Sequence, residues 1–270
     1  MTESIVLQRR QGPVLVLTHN NPASRNALSP AFYAALQQAL QAAAQDDAID
    51  AIILTGAGGH FCSGGDLRQL ALRRTLGEAE RLQKIEALHA TIRSVQACPK
   101  PVIAAVEGAA AGAGMSLALA CDMLVVATNA VFSAAYVKVG LSPDGGATAF
   151  LAERVSRQLM TQWCLTGERI SGAQLHGFGA VNRLAEPGQA LAQALELAAQ
   201  CSGGPHQAMA AIKALCLQAP HQSVADQMAM EAALMVQAQA SEESREGIAA
   251  FLEKRPADFV RLRKPTTGPL

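Results

Sequence analysis

Apolar positions change period several times along the chain, and each change marks an element. Residues 5–8 and 14–18 alternate around Gln11-Gly12, which predicts a β-hairpin or two successive strands. Solid apolar runs at 51–55, 102–106 and 123–126 predict strands buried on both faces, and 131–133 and 181–184 read as shorter strands. Phe32, Leu36, Leu40 and Ala43 fall on one helical face behind Ser29-Pro30, a good N-cap followed by proline in the first turn. Leu82, Ile85, Leu88, Ile92 and Val95 form a second helical stripe with His89 on its edge, ended by Pro99 and Pro101. Helical patterns follow at 155–164, 172–176, 189–201, 206–217, 223–239 and 242–254. An α/β body over residues 1–200 and a helical region over 201–270 are therefore expected. Met228, Met230, Leu234, Met235 and Val236 suggest that this region packs on the body and on another subunit. The charged, weakly periodic stretch 68–80 reads as mobile.

Two interruptions consist almost wholly of small residues. Gly108 to Gly114, GAAAGAG, lies between a strand and a helix start, and 56–67, GAGGHFCSGGDL, repeats the order of strand, glycine loop, helix. Backbone N–H groups at such a helix start point outward with the helix dipole behind them, a place to hold an anion or a developing oxyanion. Two such loops can offer two N–H groups to one oxygen.

Composition narrows the classes. The 270 residues have a formal net charge of zero and are half hydrophobic, so nothing calls for nucleic acid or an anionic membrane as partner. No apolar run reaches bilayer length, and MTESIVLQRR lacks the apolar core of a signal peptide. Six scattered cysteines, with no C-x-x-C pair, suit the cytoplasm and core filling; Cys62 has no adjacent base. No set of residues has metal-ligand spacing. Gly112-Ala-Gly114 lacks the third glycine of a dinucleotide fingerprint, since Leu117 stands there. Gly114-Met-Ser116-Leu-Ala118 approaches a nucleophile elbow, but Ser116 falls inside a predicted helix. Pro143-Asp144-Gly145 reads as a turn with an N-capping aspartate.

The motifs Asn21-Pro22 through Asn26-Ala27-Leu28, FCSGGDL (61–67), PVIAAVEG (101–108), SLALACD (116–122), GLSPD (140–144) and EGIAAFLEKR (246–255) together resemble the crotonase (enoyl-CoA hydratase/isomerase) superfamily along nearly the whole chain. The resemblance implies an α/β fold, a spiral of ββα units with a C-terminal helical trimerisation region, assembled as trimers or paired trimers. It implies an acyl-CoA substrate, with coenzyme A entering as part of that substrate and no separate cofactor. Carried over by position, the N–H groups of Gly65 and Ala113 form an oxyanion hole. Arg25, Arg68 and Lys254 match positions near the CoA phosphates, and Ala27, Ser63, Asp66, Gly112, Ser116 and Tyr136 fall in the substrate's surroundings.

The resemblance also exposes a departure. The two glutamates of family hydratases fall at Ser116 and Tyr136, neither of which is a base near neutral pH, so classical hydration is not expected. An acid at the position of Asp144 is the proton-transfer group of several family isomerases, including those of the phenylacetate-pathway type, which this pattern most resembles. Val139, Leu141 and Phe150 are expected to raise the pKa of Asp144. A 4-chlorobenzoyl-CoA dehalogenase-like hydrolysis through Asp144 and His89, hydratase-type lyase chemistry and an acyl-CoA binder without turnover are the alternatives.

Overall fold

In the computed structural model, which describes residues 4–263, the chain opens with the hairpin β1 (Val6–Gln11) and β2 (Val14–His19), paired antiparallel. Residues 1–3 and 264–270, the outer ends of the two expected regions, lie outside the described residues. Helix α1 (Pro30–Gln45) is capped by Ser29, which accepts from the Phe32 N–H, and is followed by β3 (Ala51–Gly56). Then come α2 (Leu67–Leu72), α3 (Glu78–Ala97), β4 (Val102–Val106), β5 (Ala109–Ala111), α4 (Ala113–Leu119), β6 (Met123–Ala127) and β7 (Val131–Ser133). The body continues through α5 (Ala147–Ala152), α6 (Arg157–Thr166), β8 (Ile170–Ser171), α7 (Gly172–Gly177), β9 (Arg183–Ala185) and α8 (Ala190–Ala199). The helices α9 (His206–Gln218), α10 (Val224–Gln239) and α11 (Glu242–Leu252) follow.

The strands form a six-stranded sheet of order β1-β2-β3-β4-β6-β9, parallel after the first hairpin, and a three-stranded sheet of order β5-β7-β8. The solid apolar runs follow from burial on both faces. Leu15, Leu17, Ile52, Leu54, Ala104 and Val106 join the main core with α1, α3 and α4, while Val16, Ile53, Ile103, Ala105 and Val125 face α8. Ala190, Ala194 and Ala198, each four apart and fully buried, make up the facing stripe of α8.

Three sequence expectations need correction. Residues 68–80 carry helical structure where the pattern gave no element: Asp66 caps α2 by accepting from the Arg68 N–H at 2.9 Å, and a short 3₁₀ turn, Arg73–Thr75, follows. Part of the first small-residue loop is strand β5, because its backbone pairs with β7 and bridges Cys62. Leu82, predicted on the buried stripe of α3, is exposed, since only Leu88, Thr91, Ile92 and Val95 of that helix reach the core.

The helical region is tied to the body by polar contacts. Lys213 pairs with Asp122 at 2.7 Å and donates to the carbonyls of Val95 and Lys100, while buried Asp50 receives His206 at 2.7 Å, Arg263 at 2.8 Å and the Gly203 N–H at 2.6 Å. Met228, Met235 and Val236 of α10 are exposed within one chain while Met230 and Leu234 are half-buried, so the expected apolar face is covered only in part.

Glu246 is buried in α11 and receives Arg255 at 2.7 Å, the Asp258 N–H at 2.8 Å and Arg261. The Arg255 hydrogen bond, then that from Asp258, holds its carboxyl down at about 2. A depressed acid stabilises the fold above its ordinary value of 4.5 and loses that contribution as pH falls toward the folded value. Glu246→Gln is expected to lower Tm at neutral pH, with the difference from wild type shrinking through that window; thermal melts from about pH 7 to about pH 3 check it.

Candidate active site

The two glycine loops are laced together by backbone hydrogen bonds. Phe61 N–H donates to Glu107 O at 2.9 Å, Cys62 N–H to Ala109 O at 2.9 Å and Ala111 N–H to Cys62 O at 3.0 Å. The polar loop 21–28 braces them: Ser63 N–H donates to Arg25 O at 3.0 Å, Leu28 N–H to Gly64 O at 2.8 Å, and the Ser63 hydroxyl to Ser24 O at 3.1 Å. Asn26, fully buried at φ +57, donates from its side chain to the carbonyls of Ala57 and His60 and accepts from the Asn21 N–H. The loops are therefore one rigid unit, and Gly64 lies against Ala111 with Ala113 next to it.

Ala113 is the first residue of α4, so its N–H has no acceptor within the helix. Gly112 precedes it, donating to Ser133 O at 2.9 Å. Among the described residues neither the Gly65 nor the Ala113 N–H has a protein acceptor. Such donors stabilise negative charge on an oxygen held between them. Cys62 beside them is fully buried, accepts from the Gly64 N–H at 3.4 Å, and is pushed up to about 12 by burial, so it fills space as an inert thiol.

One turn into α4, fully buried Ser116 donates to the Asp144 carbonyl at 3.0 Å, and the Tyr136 hydroxyl donates to the same oxygen at 3.2 Å. The two hydroxyls lie 3.3 Å apart. On the other side, Gly145 N–H donates to His89 Nε2 at 3.3 Å. Gly145 sits at φ +62, and a Cβ there would meet the Ser116 Cβ at 3.1 Å, so the turn needs glycine for both conformation and space. Asp144 does not cap α5, whose N-cap is Gly146; its Oδ1 is buried with no hydrogen-bond partner among the described residues. Burial raises the pKa of this carboxyl, opposed by the Tyr136 hydroxyl, His89 and Arg73. The direction is as expected, and of the three apolar residues named for it Phe150 is buried against Gly146 while Val139 and Leu141 are about half exposed; Ser116 and Leu88 crowd Gly145 as well. Burial also pushes the Tyr136 hydroxyl well up, keeping it a donor.

Gly65, Ala113, Ser116, Tyr136, Asp144 and His89 thus belong to one neighbourhood. Ala27 and Ser63 lie in the bracing loops, Asp66 is occupied as a helix cap, and Arg25 and Arg68 are exposed. Lys254 is exposed after α11 at φ +53, and no hydrogen bond or ion pair among the described residues joins it to them. Sequence reading missed Arg73, whose charge opposes the rise of the Asp144 pKa, and Tyr33, which burial raises to about 12 and so keeps protonated. Tyr33 was legible as a member of the α1 stripe, three before Leu36.

Two laced glycine loops with two backbone N–H groups unclaimed by protein acceptors, and a half-buried carboxyl on a turn fastened to the helix that follows one of those loops, thus share one face of the α/β body. The enoyl-CoA hydratase/isomerase family model matches residues 9–261, and the chain belongs to that family, within the crotonase superfamily. It is 37% identical over 262 residues to 2,3-dehydroadipyl-CoA hydratase of Escherichia coli strain K12, covering 96% of this chain and 99% of that protein. It is 33% identical over 261 residues to 1,2-epoxyphenylacetyl-CoA isomerase of the same strain, covering 96% and 99%. A crystal structure of an enoyl-CoA hydratase from Polaromonas sp. JS666 superposes with a TM-score of 0.90 at 45% identity, over 94% of this chain and 98% of that one.

Proposed function

We propose that this acyl-CoA enzyme is an enoyl-CoA isomerase that shifts a carbon–carbon double bond by moving one proton. The observation that carries the reading is that Ser116 and Tyr136, at the two hydratase glutamate positions, both donate to the Asp144 carbonyl, while Asp144 Oδ1 is left without a partner. The Asp144 carboxylate removes a proton from C2 of a 3-enoyl thioester. The C–H electrons flow into a dienolate whose oxygen is held by the Gly65 and Ala113 N–H groups. The neutral Asp144 then returns the proton at C4, leaving the 2-enoyl thioester with no water consumed and no cofactor beyond the CoA of the substrate. Arg25, Arg68 and Lys254 are assigned to the CoA phosphates.

The relatives named as hydratases keep hydration in view. Here Ser116 and Tyr136 offer hydroxyls, already engaged as donors, where that chemistry needs carboxylates. The unit of function is proposed to be a homotrimer or a pair of trimers, supported by the exposed Met228, Met235, Val236 and Phe251 of α10 and α11, and its compartment the cytoplasm, which unpaired thiols suit.

Deuterium exchange at the acyl carbons of 2-enoyl-, 3-enoyl- and phenylacetyl-type CoA esters tests the reading. Exchange with double-bond migration and no hydrated product supports it; a 3-hydroxyacyl product, halide release, or binding without exchange sinks it. Because burial raises Asp144, and the base must be ionised, kcat/KM is expected to rise with pH through a value above the ordinary carboxylate range, as a pH–rate profile from about pH 4 to about pH 8 reads directly.

A further inference from the structure

The peptide unit between Asp144 and Gly145 is held at both of its polar groups. Its C=O accepts from Ser116 and Tyr136, and its N–H donates to His89 Nε2. The three partners come from α4, the segment after β7, and α3, so the unit that carries the Asp144 side chain is fastened to three separate parts of the body.

His89 can accept at Nε2 only when that nitrogen is unprotonated, which in the neutral ring places the proton on Nδ1. Glu86, one turn earlier on α3, lies with Oε2 3.4 Å from Nδ1 and is itself held by Arg93. The pair is half exposed, so its Coulomb energy is small and its consequence is orientation and tautomer.

We propose that His89 and Glu86 are positioning residues for proton transfer: Glu86 keeps the His89 proton on Nδ1, and His89 Nε2 holds the Gly145 N–H so that the Asp144 carboxyl stays aligned between the two carbons it serves. The inference rests on the reading of Asp144 as the proton carrier. It gives His89 a different task from hydrolysis of an aryl ester, because the lone pair that would activate water is engaged by the Gly145 N–H. One carboxyl must reach two carbons in turn, and small misplacement of a reacting group is costly, so a pinned backbone serves this reaction directly.

The test uses full-length His89→Leu, His89→Gln and Glu86→Leu with two readouts. The first is isomerisation kcat and KM together with the Kd of a saturated acyl-CoA. The second is hydrogen–deuterium exchange of the peptic fragment containing Gly145, which needs no turnover. His89→Leu is expected to lower kcat about tenfold with Kd within about twofold, and to speed exchange of that fragment. His89→Gln, which restores an oxygen acceptor at similar reach, is expected to recover both, and Glu86→Leu to fall between wild type and His89→Leu. Equal loss in the leucine and glutamine variants, or no loss in either, overturns the proposal; Glu86→Leu at wild-type values overturns its second half. If wild type moves no double bond, the isomerase reading fails on its own. The clamp is then decided by exchange: protection lost in His89→Leu and regained in His89→Gln supports it, and unchanged protection removes it.

Discussion

Replacing Asp144 by asparagine is expected to slow isomerisation by about a thousandfold or more while raising Tm by about 2 °C. The rate loss follows from the role: an amide cannot take the C2 proton, and the hydroxyls of Ser116 and Tyr136 already serve the carbonyl beside it. The gain in stability follows from the sign of the pKa shift. A carboxyl whose pKa is raised on folding binds its proton more tightly in the folded than in the unfolded chain, so its ionised form opposes folding. Asparagine has nearly the same shape without the charge, and it leaves the clamped peptide unit in place. The difference in Tm is therefore expected to be largest above the raised pKa and to fade as pH drops and Asp144 becomes protonated. Single-turnover isomerisation and melts at about pH 8 and about pH 4.5 separate the two effects. A variant that keeps its rate removes Asp144 from the chemistry; one that is slow and also unstable makes the carboxyl a structural group.

Gly64→Ala is expected to cost about a hundredfold in kcat, the scale of losing one oxyanion donor, and about 1–3 kcal/mol of stability from backbone strain. Gly64 sits at φ +96, and a Cβ there would lie 2.7 Å from the Ala111 carbonyl oxygen and 3.7 Å from the Ala113 nitrogen. Both neighbours are backbone, so the clash cannot be relieved by a rotamer change. The Leu28 N–H holds the Gly64 carbonyl from the far side at 2.8 Å. The movement must then open the seam between the two loops, which sets the spacing of the Gly65 and Ala113 N–H groups. Gly59→Ala is the control: it too has positive φ, +75, but a Cβ there meets nothing within 4 Å. It is expected to lose stability and keep its rate. If both variants keep their rate, the spacing of the two N–H groups is unimportant to turnover.

The sequence was informative wherever burial is periodic. The solid runs of β3, β4 and β6, the stripe of α1, the Ser29 cap and both small-residue loops are local patterns, set by which neighbours three, four or two positions away share a face. Residue-by-residue resemblance added the expectation that Gly65 and Ala113 donate to an oxyanion and that Asp144 moves the proton. Neither route revealed why Asp144 stands where it does. Ser116 reaches it across 28 residues and His89 reaches Gly145 across 56, through loops whose polar residues follow no period. The Pro143-Asp144-Gly145 turn looked like a helix cap because that is what such a tripeptide does alone; in the fold the cap passes to Gly146. Likewise 68–80 offered no element to a sequence reading because it is charged and only weakly periodic, yet Asp66 caps α2 and a 3₁₀ turn leads into α3. The sequence by itself determined the layers, the two glycine loops and the identity of the groups available for chemistry. The tertiary structure alone decided their orientation, because hydrogen bonds between distant loops are specified by the packed body that brings those loops together and not by any spacing along the chain.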